Sequence, residues 1–272
     1  MNPPSQAPRR PQTIYHYTSQ EGLLGIIQEG ILRVSSIRHL NDSAELIYAI
    51  EIVSSWLTSH GEDGPGWEEF IERMPKYFDL VKEADCHVGS FSQERDQLSQ
   101  WRAYTGGGVG YSIGFDFGML RSFAEAQKFE LVRCFYTQDE HNVLADGVAS
   151  RIQKALDQHS VDTALALCAH HVLRIAPRVK HPSFAEEKEW RLTKEVGHEE
   201  KEKVKFRAGK SMLVPYGEFM FVDEADNTPI TEIVVGPTPH MELSKRSVER
   251  LLRAHDMGHV PIIDSAVPFR NW

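Results

Sequence analysis

The sequence predicts an α+β fold in a single domain, on three observations. Apolar residues recur at helical spacing near the N-terminus and again over residues 139–177. The last third is dense in short strand patterns, and no internal linker or repeat divides the chain. At 272 residues the chain is long enough to bury a full core.

Residues 1–12 carry four prolines and two arginines and read as a loose tail ahead of a domain covering 13–272. Ile14 to Thr18 reads as a strand. Ser19 then caps a helix whose apolar stripe is Leu23, Leu24, Ile26 and Ile27, and Gly30 stops it. A strand follows at 31–35, and His39-Leu40-Asn41-Asp42-Ser43 is a turn and cap signal. The helix from about Ala44 to Leu57 is expected to bury Leu46, Ile47, Ile50, Val53 and either Trp56 or Leu57. After a loop at 61–66 come a helix at 67–82, a strand at 86–91 and a short helix at 96–104, which Gly106-Gly107-Gly108 breaks. Residues 109–115 alternate as a strand, 117–126 and 139–177 read as helix, and 242–255 forms the last helix. The remaining strands are expected at 187–192, 203–207, 211–214, 218–222, 230–235 and 259–263.

With 41% hydrophobic and 25% charged residues, the composition is that of a soluble globular protein. No apolar run approaches the ~20 residues of a membrane-crossing helix. Residues 1–5 lack the apolar core of a secretion signal, so a cytoplasmic location without membrane contact is expected. Cys86, Cys134 and Cys168 are widely spaced and read as reduced, buried thiols, and no metal is expected. The net charge of -9 argues against a long nucleic-acid footprint. A local basic groove remains open, because Arg174, Arg178, Lys180, Lys188, Arg191 and Lys194 crowd one region; that run reads first as a solvated face.

Two motifs fail on spacing. Gly209-Lys210-Ser211 lacks the glycine that a phosphate-binding loop places five residues earlier, where Val204 stands. The glycines at 106, 107, 108, 110 and 114 do not give the dinucleotide fingerprint. Gly110-Tyr111-Ser112-Ile113-Gly114 matches a hydrolase nucleophile elbow in letters, but Ser112 falls in mid-strand rather than at a strand-to-helix turn. A serine hydrolase, with Asp223 or Glu232 and His240 or His259 completing a triad, is the weakest alternative. His170-His171 point about 100° apart on a helix and make a poor metal pair.

The remaining pattern suits cleavage of the bond between nicotinamide and ribose, which develops positive charge on the sugar and calls for a carboxylate beside it. Glu187 and Glu189 share one face of the candidate strand by its two-residue period, and His16 sits mid-strand, able to aim a ring nitrogen at a ligand. The plain alternatives are a surface carboxylate pair salt-bridged to Lys188 or Arg191, and a buried histidine bonded to backbone.

Ile14-Tyr15-His16-Tyr17-Thr18, with Leu23-Leu24, Ile27, Gly30 and Leu32-Arg33-Val34-Ser35, resembles the opening of the DarT-type DNA ADP-ribosyltransferase toxins: a His-x-Thr strand, a short helix and a glycine-hydrophobic strand. Leu40-Asn41-Asp42-Ser43-x-Glu45, Ser90-Phe91-Ser92, Trp101-Arg102-x-Tyr104, Gly110 to Asp116, Glu187-x-Glu189-Trp190-Arg191 and Pro268-Phe269-Arg270 together resemble a bacterial domain family of unknown function related to ADP-ribosyltransferases.

The resemblance implies an ADP-ribosyltransferase-like split-sheet core with a helical insertion at about 139–177. It implies NAD as substrate and transfer of ADP-ribose to a macromolecular acceptor, nucleic acid or protein, in the setting of a bacterial toxin or anti-phage effector with an antitoxin partner. Carried over residue by residue, His16 resembles the ribose-binding histidine with Thr18 beside it, Glu189 the catalytic glutamate, and Glu187 the first acidic residue of a Glu-x-Glu pair. Tyr104, Tyr111 and Trp101 are candidates to stack on nicotinamide, each with core packing as the alternative. Arg33, Arg38 and Arg102 are candidates to hold the pyrophosphate. An NAD glycohydrolase or a non-catalytic NAD-binding module would use the same residues.

Overall fold

A computed structural model describes residues 10–39, 45–61, 64–83, 85–105, 109–197, 204–209, 211–223 and 227–268. The fold is a mixture of helices and strands, as the pattern predicts. In chain order the first half runs β1 (Thr13–Ser19), α1 (Gln20–Glu29), β2 (Ile31–Ser36), α2 (Glu45–His60), α3 (Trp67–Glu83), β3 (Cys86–Ser92), α4 (Leu98–Tyr104), β4 (Gly110–Asp116) and α5 (Phe117–Ala126). The second half runs β5 (Glu130–Arg133), α6 (Gln138–Gln158), α7 (Val161–Ile175), β6 (Glu189–Glu195), β7 (Lys205–Ala208), β8 (Leu213–Met220), β9 (Ile230–Val235), α8 (Met241–Ala254) and β10 (Ile262–Asp264). These elements gather into two compact units, the first of residues 1–31, 91–126 and 220–272, the second of 32–90 and 127–219.

In the first unit β1 lies antiparallel to β4 in unbroken register from Thr13↔Asp116 to Ser19↔Gly110. β4 continues antiparallel to β9, and β9 runs parallel to β10. Residues directly opposite one another share a face of the sheet. Ile14, His16 and Thr18 therefore lie with Phe115, Ile113 and Tyr111, while Tyr15 and Tyr17 lie on the other side with Gly114 and Ser112. The first face packs Phe91 edge-on against Phe115, and Phe115 edge-on against Phe221. The second holds Tyr17, Trp101 and Val234, with the Tyr17 and Trp101 rings 4.7 Å apart.

Helix α1 forms as its sequence demands. The Ser19 hydroxyl accepts the Gly22 N–H, and Gly30 at φ 66 ends the helix by donating its N–H to Ile26 O. Leu23, Ile26 and Ile27 are buried, but Leu24 is exposed, since it lies about 100° round the helix from Leu23 and nearly opposite Ile26.

The second unit holds an extended apolar core, formed among α2, α3, α6 and α7. The stretch read as a helical insertion is thus two helices, each started by its own cap at Thr137 and Ser160, and both bury residues in that core. On α2, Leu46, Ile50, Val53 and Leu57 form the buried stripe, and Ile47 is exposed because it lies about 100° round the helix from Leu46. β5 pairs with β6 from Glu130↔Thr193 to Arg133↔Trp190, β2 with β3, and β7 with β8. The two strands expected at 211–214 and 218–222 are one strand, β8. The turn before it closes where the Gly209 N–H meets Met212 O.

Replacing Gly30 by alanine places a Cβ in the left-handed region, 3.2 Å from a methyl of Val222. The substitution is expected to lower unfolding stability by about 1–2 kcal/mol, read as a fall in the denaturant midpoint with an unchanged slope.

Candidate functional site

Arg191 is the third residue of β6 and only 2% exposed, so each of its five N–H groups must find an acceptor inside the protein. All five do. Nη1 and Nη2 donate to the two carboxylate oxygens of Glu45 at 2.6 and 2.7 Å, a bidentate pair. Nε and Nη2 donate to the two oxygens of Glu189 at 2.9 and 3.1 Å, and Nη1 also reaches Pro177 O at 3.1 Å. Glu189, 4% exposed, accepts a further bond from Lys180 Nζ at 2.8 Å. Lys180 also donates to Glu187, and its Nζ lies 3.7 Å from Glu45 Oε1. Three carboxylates and two cations thus form one cluster within the second unit.

The backbone around the cluster is pinned as well. The Glu189 N–H donates to the Tyr136 hydroxyl at 2.8 Å, and the Cys134 N–H to Glu189 O at 3.0 Å. The Cys134 thiol lies 3.8 Å from Glu189 Oε2. Burial alone would raise the Glu189 carboxyl, but Arg191 and Lys180 outweigh it and bring it down to about 2. Burial likewise opposes the charge on Lys180, which Glu189 and its neighbours more than restore, holding the ammonium above the usual lysine value. Glu187, 15% exposed, is the member nearest the surface. Burial pushes its carboxyl above the usual range despite Lys180.

The Glu187–Glu189 pair corrects the expectation of a shared strand face. Glu187 ends a 3-10 turn (Pro182–Glu187), the Lys188 N–H closes that turn on Ala185 O, and Lys188 takes φ 43 before β6 begins at Glu189. The two carboxylates meet through Lys180 instead of through strand period. The charged run around them is not uniformly solvated either: Lys180 and Arg191 are buried, while Arg174 and Lys188 are exposed.

The other predicted residues divide differently. Arg33 belongs with the glutamates in the second unit, where it is exposed over the Tyr216 ring. His16, Thr18, Trp101, Arg102, Tyr104 and Tyr111 belong to the first unit. There His16 is half-buried, its ring 5.7 Å from Phe91, and it shares a sheet face with Thr18 and Tyr111. Trp101 and Tyr104 pack on the opposite face with Tyr17, so Tyr104 and Tyr111 do not form two walls of one nicotinamide slot. Trp101 is a core residue whose Nε1 donates to Asp96, and the same carboxylate accepts from the Ser265 hydroxyl and the Ala266 N–H. Arg102 is exposed. Ser112 is fully buried in the middle of β4, so it does not occupy a nucleophile elbow. Glu232, a triad candidate, accepts the Tyr15 hydroxyl at 2.9 Å, and burial with that bond pushes the phenol up to about 12.

Asn41, Asp42, the glycines at 106–108, Phe269 and Arg270 lie outside the described residues. Sequence reasoning left Glu45 as one letter of the Leu40-Asn41-Asp42-Ser43-x-Glu45 motif, put Lys180 in a basic run and Cys134 among the buried thiols, and gave Tyr136 no role. Among the described residues no group of three or more histidine, cysteine, aspartate or glutamate side chains is placed to hold a metal, and no helix is long and apolar enough to cross a membrane.

The residues that carry this geometry also carry a sequence relationship. Residues 100–192 match a protein family described as a protein of unknown function (DUF2971). The match takes in Cys134, Tyr136, Lys180, Glu187, Glu189 and Arg191, every member of the cluster and its backbone supports except Glu45. No curated protein and no solved structure matches the chain.

Two outcomes follow from the cluster. Glu45→Gln leaves the buried Arg191 charge short of a partner and is expected to destabilise the protein by roughly 3–5 kcal/mol in denaturant unfolding. Because the Glu189 carboxyl is lower in the folded than in the unfolded chain, its contribution is complete above about pH 4.5 and is lost as pH falls toward about 2. Wild-type stability is therefore expected to drop through that window, and Glu189→Gln to flatten the drop.

Proposed function

We propose that the protein is an NAD-dependent ADP-ribosyltransferase that cleaves the nicotinamide–ribose bond and passes ADP-ribose to a macromolecular acceptor. One observation carries the reading. Glu187-x-Glu189-Trp190-Arg191 and the motif ending at Glu45, far apart in the chain, supply the same buried charge cluster.

Its three carboxylates against two cations leave one formal negative charge, the complement of the single positive charge that develops on the ribose as nicotinamide leaves. Glu189 stays ionised at any physiological pH, as a group that must meet a cation requires. Arg191 fixes its orientation before the reaction, so little reorganisation is needed when charge appears. Glu187, nearer the surface, is the carboxylate available to orient an incoming acceptor. The resemblance at residues 14–35 supports the same chemistry and adds a toxin or anti-phage setting, with a protein antitoxin as partner.

The test is release of nicotinamide from NAD by the purified chain, with cell lysate as a source of acceptors. Glu189→Gln is expected to reduce release by about a hundredfold or more while the protein stays folded. Release unchanged in the variant would remove Glu189 from the chemistry, and no release from the wild type would refute the reading. Labelled NAD separates transfer from hydrolysis, since only transfer leaves the label on a macromolecule.

A further inference from the structure

We propose that Pro182–Lys188 is a lid over the carboxylate cluster, latched shut by the Lys180–Glu187 ion pair, and that it opens to make Glu189 reachable. The inference rests on reading that cluster as the reactive site. It answers a difficulty the geometry raises, for a carboxylate 4% exposed cannot meet a ribose in the state described.

The observations converge on this one segment. Lys180 and Glu189 are buried, yet all the residues between them are exposed except Glu187, which is intermediate. The turn buries no apolar residue of its own. Two polar contacts draw it toward the cluster: Glu187 receives the Lys180 ammonium, and the same ammonium sits 5.0 Å from the centre of the Phe184 ring. Both ends suit a hinge. His181 caps the turn by accepting the Ser183 N–H ahead of Pro182, and Lys188 sits at φ 43, a conformation that a side chain other than glycine adopts at a cost. The anchors on either side do not share this looseness. Lys180 is tied through its backbone to Phe135, and Glu189 to Tyr136 and Cys134. An open lid leaves Lys180 bound to Glu189 and parts Glu187 from Lys180.

Cys134 reports on opening, because its thiol is fully buried and 3.8 Å from Glu189, whereas Cys86 and Cys168 are buried elsewhere in the unit. The experiment is alkylation of the full chain by N-ethylmaleimide, with the rate at each cysteine followed by peptide mass spectrometry. Glu187→Gln is expected to speed modification of Cys134 at least tenfold and to leave Cys86 and Cys168 at their wild-type rates. Phe184→Ala keeps every charge in place, so it tests the same point even if the first variant folds poorly; a several-fold rise at Cys134 alone is expected. Unchanged Cys134 rates in both variants would overturn the lid, as would a rise at all three cysteines together, which marks general loosening. The labelling needs no NAD, so its outcome is independent of whether the wild type releases nicotinamide.

Discussion

The saturated guanidinium of Arg191 is the constraint on which the second unit depends. A buried cation with five donors tolerates few arrangements of its surroundings, and here it sets four segments at once: the start of α2 through Glu45, the chain at Pro177, Lys180 through their shared carboxylates, and β6 itself. Burying these charges costs free energy that their mutual attraction recovers only in part, and an apolar replacement of similar shape would often be as stable. What such a cluster secures is geometry. Glu45 and Glu189 are each held by two or more donors, so neither can rotate without stranding a neighbour.

The same geometry is what the proposed function builds on. The helical core among α2, α3, α6 and α7 already supplies apolar burial to this unit. A buried polar knot with an uneven formal charge, one member nearer the surface and the left-handed Lys188 next to it is a local departure from an apolar core. Such departures concentrate where a fold serves function.

How much of this was legible in the sequence depended on distance along the chain. Helix α1 was readable in full, because Ser19 and Gly30 act on their own neighbours. The alternation of Gly110–Asp116 gave β4 for the same reason. Of the cluster, Glu187, Glu189 and Arg191 came from one short motif, but their geometry did not: the left-handed Lys188 shifts Glu187 off the strand, and no periodicity signals a single such residue. Glu45 and Arg191 are 146 residues apart, and pairing across that distance leaves no local trace. Lys180 was hidden in a basic run where exposed and buried cations look alike. The separation of Tyr104 from Tyr111 was invisible too, since it depends on the register Thr18↔Tyr111 and on the side to which α4 packs.

The arrangement of the two units along the chain has a consequence for biosynthesis. The second unit is complete once residue 219 has been made, whereas the first needs residues from both ends of the sequence. While the ribosome is still working, β1 and β4 can pair, but β4 keeps one row of amides and carbonyls unsatisfied until β9 emerges, and β9 in turn waits for β10. Asp96 meanwhile holds a carboxylate whose partners at Ser265 and Ala266 are made 169 and 170 residues later. All residues of the Glu189 unit are therefore made before the sheet bearing His16 can close, and until then the open strand edge is exposed to wrong pairing.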